Sequence, residues 1–143
     1  MLADLSADAF HQLIAEVPLL VVLPPELDGF FEELGYTPSN PFDERRAPRL
    51  RLRCPALLEV TRTLPSARRE TGLAHVLVSD VSRLGFGLLH HEQLWPEERI
   101  TLWLPSHHLH ATVVRCRRRG PSCYEIGAEL TGYEGRGEPG LHF

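Results

Sequence analysis

Two hydrophobic periods divide this chain. Between residues 6 and 17 the apolar positions recur at helical spacing, with Phe10, Leu13, Ile14 and Val17 at i, i+3, i+4 and i+7. That stripe predicts an amphipathic helix, with Ser6 as its N-cap and Pro18 as its stop. After Pro24-Pro25, Leu27, Phe30, Phe31 and Leu34 form a second short stripe, and Gly35 is placed to end it. Both predicted helices are acidic outside and apolar on one face. That face either covers part of the main domain or docks a partner protein. Thr37 to Phe42 (TPSNPF) carries the turn and breaker residues of a linker.

From Leu50 onward the period becomes two. Leu50, Leu52 and Cys54 alternate with Arg51 and Arg53, and Ala56 to Thr63 is rich in β-formers. Ala74 to Val81, Gly85 to Leu89, Ile100 to Leu104, Leu109 to Arg117 and Tyr124 to Leu130 read as further short strands, separated by Gly-, Pro- and His-rich turns. Six strands with no helix between them predict a mainly β, antiparallel barrel or sandwich. A turn at Arg119-Gly120 sets Leu109, Ala111 and Val113 opposite Leu130, Ala128 and Ile126, giving the last hairpin one apolar face. That register also sets Cys116 opposite Cys123. The resulting organisation is an acidic helical extension and linker over 1–42, a β-domain over 43–132 and a tail over 133–143.

The 143 residues suit one domain, and 43% hydrophobic content allows a moderate core. The apolar run Val17 to Leu23 is interrupted by Pro18, is too short to cross a bilayer, and has no basic region before it. Three cysteines do not make a disulfide framework, and a reducing cytoplasm is the simplest setting. Charge changes the picture more. All 15 basic residues are Arg. Residues 1–44 sum to −9, residues 45–119 to +8, and the remainder to −3. An Arg-rich centre behind an acidic segment points to an anionic ligand, although composition bias alone also explains the missing Lys.

Two motifs carry candidate chemistry. Asp43-Glu44-Arg45-Arg46-Ala47-Pro48-Arg49 precedes the first strand. Pro48 excludes a helix here, so Arg45 and Arg49 sit on a loop. Guanidinium forks on a loop can grip phosphate oxygens or a guanine edge. Arg49 and Arg53 share the same spacing, but Arg53 already lies within the alternating strand. The second motif is Asp80-Val81-Ser82-Arg83-Leu84-Gly85, between two strands. Asp80 can accept from guanine N1 and N2, Ser82 offers a hydroxyl, and Gly85 permits positive φ or close backbone approach. Taken singly, each motif also reads as a solvated basic linker or an ordinary turn.

Together, R-x-x-x-R before a first strand and D-x-S-x-x-G between the second and third resemble the PilZ domain. Tyr124-Glu125-Ile126-Gly127-Ala128-Glu129-Leu130 is similar to that family's last strand. The resemblance spans about residues 43–131. It implies a six-stranded antiparallel β-barrel that binds cyclic di-GMP without catalysis or cofactor. Arg45, Arg46, Arg49, Asp80, Ser82 and Gly85 would form the ligand site. Glu44, where a basic residue goes with a paired ligand, implies one dinucleotide per chain. It further implies a bacterial second-messenger receptor; the acidic extension, outside the resemblance, adds the expectation of a partner protein met through the extension or the barrel surface.

Other chemistries have thinner support. His90-His91 and His107-His108-x-His110 lack accompanying metal-ligand spacing, so no metal site is expected, and no catalytic triad or carboxylate pair is readable. Arg115, Arg117, Arg118 and Arg119 suit single-stranded nucleic acid, but the net charge of −4 opposes it. A barrel that acts only as a protein adaptor is the remaining alternative.

Overall fold

Why the first stripe becomes a helix is visible at its ends. A computed structural model describes residues 6–33, 35, 49–67, 69 and 72–135. Leu34, the linker over 37–42, Glu44 and the tail beyond 135 lie outside the described residues. Helix α1 spans Ala7–Glu16. The Ser6 hydroxyl accepts the Ala9 N–H at 3.1 Å, and Val17 turns extended before Pro18. Phe10 is buried against Leu57 and Trp103 on the outside of the sheet, with Leu13, Ile14 and Val17 packed around it. The apolar face of this helix therefore covers the main domain.

The second predicted helix does not form. Two separate 3₁₀ turns, Pro25–Leu27 and Phe30–Glu32, stand in its place. Gly29 lies between them at φ +79°, a left-handed conformation that breaks any continuous helix. Each piece is also too short to offset the cost of helix nucleation. Phe30 is fully buried while its neighbour Phe31 is half exposed. Gly35 does adopt positive φ, as a chain stop requires.

Six strands close into an antiparallel barrel: β1 (Leu50–Arg62), β2 (Ala74–Val81), β3 (Gly85–His90), β4 (Arg99–Trp103), β5 (His107–Gly120) and β6 (Cys123–Gly135). Their order around the barrel is β1-β2-β3-β6-β5-β4. The two segments read around Pro55 are one strand, and β1 pairs with β4 only from Leu57 onward, past the proline. Inward-facing Ala56, Leu58, Val76, Val78, Leu88, Ile100, Leu102, Leu109, Val113 and Ile126 make the core. His107–His110 open β5 rather than lying in a turn. Among the described residues no helix is long and apolar enough to cross a membrane.

From Ala111 to Val113 the β5–β6 ladder differs from the expected register by two residues. Ala111 pairs with Leu130, Val113 with Ala128, and the turn falls at Pro121-Ser122. An even displacement keeps the same face inward, so the apolar stripe survives. Bulges along β5 then set Cys116 opposite Ile126, not Cys123. Cys116 packs against the barrel core, whereas Cys123 belongs to a cluster outside it. All three cysteines are free.

Candidate ligand site

Antiparallel pairing brings the start of β1 against the end of β2. Leu50 pairs with Val81 and Arg51 with Asp80. Arg49 immediately precedes Leu50, so it enters beside Ser82. Arg49, Asp80, Ser82 and Gly85 thus come to one corner of the barrel, while Arg45 and Arg46 lie outside the described residues.

The corner is held by its own polar groups. The Ser82 N–H donates to the Gly85 carbonyl at 2.8 Å, and the Ser82 hydroxyl accepts from Leu84 and Gly85 N–H at 3.2 and 3.3 Å. Ser82 is buried, and its oxygen shapes the turn. Gly85 does not take positive φ among the described glycines. Its reason is close approach: a Cβ would fall 2.0 Å from the Ala128 carbonyl oxygen of β6.

A lateral row that includes Asp80 crosses five strands, beginning at Arg51. Arg51 pairs with Asp80, Asp80 with Gly87, Gly87 with Gly127, and Gly127 with Arg115. A Cβ on Gly87 would meet the Asp80 carboxylate oxygen at 2.8 Å. One on Gly127 would meet Arg115 Cζ, Nε and Cγ at 2.8, 2.9 and 3.0 Å. A carboxylate and a guanidinium therefore lean over two paired glycines from opposite sides. Among the described residues, neither has an ion pair or a side-chain hydrogen bond.

The N-terminal extension walls this row. Phe30 packs with Val21, Leu77, Leu89 and Cys123 beside it, and the Arg53 guanidinium lies 4.4 Å above the Phe30 ring. Glu33 Oε2 lies 3.5 Å from Arg51 Nε and 3.8 Å from Arg53 Nη2. Burial lowers the Arg53 pKa, with Arg51 adding to the effect, while Glu33, Asp80 and Glu125 oppose it. The Arg51 N–H also donates to the Gly35 carbonyl at 2.8 Å, so the extension and β1 are stitched together at this edge.

A second polar cluster sits elsewhere, beside a cavity of about 250 Å³ lined in part by Pro18, Leu73, His75, Arg69 and His90. Glu98 is fully buried. It accepts from Arg69 Nε at 2.6 Å, the Trp95 N–H at 2.7 Å and the Thr63 hydroxyl at 2.7 Å. Burial alone would raise the Glu98 pKa; these donors outweigh it and hold the group below the usual carboxylate range. The His90 Nδ1 accepts the Glu92 N–H at 3.0 Å. Burial, then His91 and Arg69, push His90 down to about 3. Arg69 is committed to carboxylates here, which makes this a structural network.

Among the described residues no group of three or more His, Cys, Asp or Glu is arranged to hold a metal ion. From sequence, Arg115 read only as a contact for single-stranded nucleic acid, Gly127 as part of the last strand and Phe30 as part of an apolar stripe, while Gly87 and Glu33 carried no signal of their own; the strand ladder is what brings Arg115, Gly127 and Gly87 into one row. No protein-family model matches the chain, and no curated protein matches it.

Proposed function

We propose that this protein is a bacterial cyclic di-GMP receptor of the PilZ type, without catalytic turnover, acting in a reducing cytoplasm. The observation that carries the reading is the β1–β2 ladder. It joins Arg49 to the turn from Asp80 to Gly85, more than thirty residues away in sequence, at one corner of a closed six-stranded barrel. In this reading Arg45, Arg46 and Arg49 grip phosphates and guanine, and Asp80 accepts from guanine N1 and N2. Ser82 and Gly85 keep the corner in the shape that presents Asp80. Glu44 limits the site to one dinucleotide. Because the extension walls the site through Phe30 and Glu33, ligand contacts at Arg51 and Arg53 are felt there. The exposed Leu19, Leu20, Val22 and Phe31 of that extension would then meet a partner protein.

Titration calorimetry with cyclic di-GMP tests this. Wild type binds with a ratio near one. Arg45→Ala, Arg49→Ala and Asp80→Ala each weaken binding about ten- to a hundredfold, the size of a bidentate contact. No heat at high micromolar ligand overturns the receptor reading and leaves the protein-adaptor and single-stranded nucleic acid readings. A DNA titration with its salt slope separates those two.

A further inference from the structure

We propose that Arg115 is a stacking platform for a purine base of the bound nucleotide, with Asp80 reading that base's edge. This deepens the nucleotide reading above and rests on it. The guanidinium of an exposed arginine is ordinarily free to wander in solvent. Here three atoms of the Arg115 side chain crowd the place where Gly127 would carry a Cβ, so the chain lies flat along the glycine. Its inner face is against backbone and its outer face is open. A planar cation held this way presents the surface on which bases stack, and such stacking tolerates any base.

Specificity comes from the neighbour. Gly87 and Gly127 are directly paired, so their Cβ sites would be about 5 Å apart. The Asp80 carboxylate oxygen lies over the first site and Arg115 Cζ over the second. A base centred on the guanidinium would bring its edge toward the carboxylate, because half a purine plus a hydrogen bond of about 2.9 Å spans that separation. A carboxylate accepts and cannot donate, so it favours a purine edge with two donors, which is the N1–H and N2–H edge of guanine. Adenine presents an unprotonated N1 there and leaves Asp80 unpaired. The neighbouring acid Glu125 is held by Arg119 at 2.7 Å, so it does not draw Arg115 away. The glycines have their own role: Gly127 is the residue that lets Arg115 lie down, and Gly87 is the one that lets Asp80 lean across the row toward it.

Two variants of the full chain, titrated with cyclic di-GMP and with cyclic di-AMP, test the platform. Arg115→Lys keeps the charge and loses the plane. Gly127→Ala keeps Arg115 and lifts it off the floor, and only a flexible side chain has to yield. Wild type is expected to prefer the guanine ligand and to show an induced circular-dichroism band of the stacked base. Both variants are expected to melt like wild type, to bind cyclic di-GMP about tenfold or more weakly, and to lose the band. Wild-type affinity and an intact band in Arg115→Lys overturn the platform while leaving the receptor reading in place. Failure of wild type to bind either dinucleotide overturns both.

Discussion

The Arg53 guanidinium rests 4.4 Å from the centre of the Phe30 ring, joining a strand of the barrel to a turn of the extension some twenty residues earlier. Phe30 is 1% exposed, and beneath it lie Leu77, Leu89 and Cys123. One aromatic ring therefore seals the outer face of the sheet and supports a cation at the candidate site. The extension is built into the barrel's own architecture.

Phe30→Ala is expected to cost about 3–5 kcal/mol, the usual loss for an aromatic removed from a packed cluster. Phe30→Leu should cost distinctly less. Urea denaturation measures both, and a cost below about 1 kcal/mol for Phe30→Ala would mean that the extension does not depend on this ring.

Glu33 lies against two arginines, Arg51 and Arg53, beside the candidate site. At 3.5 and 3.8 Å, and with Glu33 half exposed, the contact is worth under about 1 kcal/mol. Glu33→Gln should therefore tighten cyclic di-GMP binding by about two- to fivefold and leave stability almost unchanged. Weaker binding in Glu33→Gln would show that the carboxylate positions the arginines instead of competing for them.

Gly85→Ala places a methyl 2.0 Å from a backbone oxygen, and neither strand can yield without losing pairing. The expected destabilisation is about 1–3 kcal/mol. Amide exchange should rise at Phe86 and Ala128, which pair across that corner. Ser82→Ala should loosen the same turn through loss of its two accepted hydrogen bonds, and faster exchange at the Leu84 and Gly85 amides would report it.

These outcomes also mark how far the chain could be read unaided. The alternation from Leu50 to Cys54 and the Ser6 cap were local signals, and the strand and helix they imply are present. The second helix failed at Gly29, whose left-handed conformation no apolar spacing reveals. The last hairpin was displaced because its turn falls at Pro121-Ser122, two residues beyond the expected one, and bulges, which carry no compositional sign, take back part of that shift. Asp80 to Gly85 was legible as a corner because turn chemistry is local. Arg115 and Gly127 came together as a candidate site only through the pairing of β6 with both β3 and β5. Glu98 reads as one more charge in a Pro-Glu-Glu turn, yet it is completely buried, aimed inward by a turn in which Glu97 takes φ +81°.

Acid should destabilise the fold through His90 and Glu98. His90 has its folded pKa lowered from 6.5 to about 3, so the unfolded chain takes up a proton first as pH falls. Its contribution is complete above pH 6.5 and is lost progressively toward pH 3, amounting to about 2 kcal/mol by pH 5. Glu98, also lowered, acts in the same direction, its share being lost as pH falls below 4.5 through its folded value. Urea midpoints at about pH 7 and pH 5 check this. The drop should be smaller in His90→Asn, whose side-chain oxygen can still accept the Glu92 N–H. Equal drops in the two proteins would remove His90 as the cause.

Cys123 is 0% exposed and lies in the cluster closed by Val21 and Phe30, and burial raises its thiol pKa. Its sulfur is therefore shielded twice, by inaccessibility and by a scarcity of thiolate. A thiol reagent can reach it only when the extension lifts. The rate of its alkylation, followed by mass spectrometry of the peptide containing Cys123, thus counts the openings of that segment in the native protein. The chain carries its own clock on the seam through which an occupied site would signal: if ligand moves the extension, the clock changes speed.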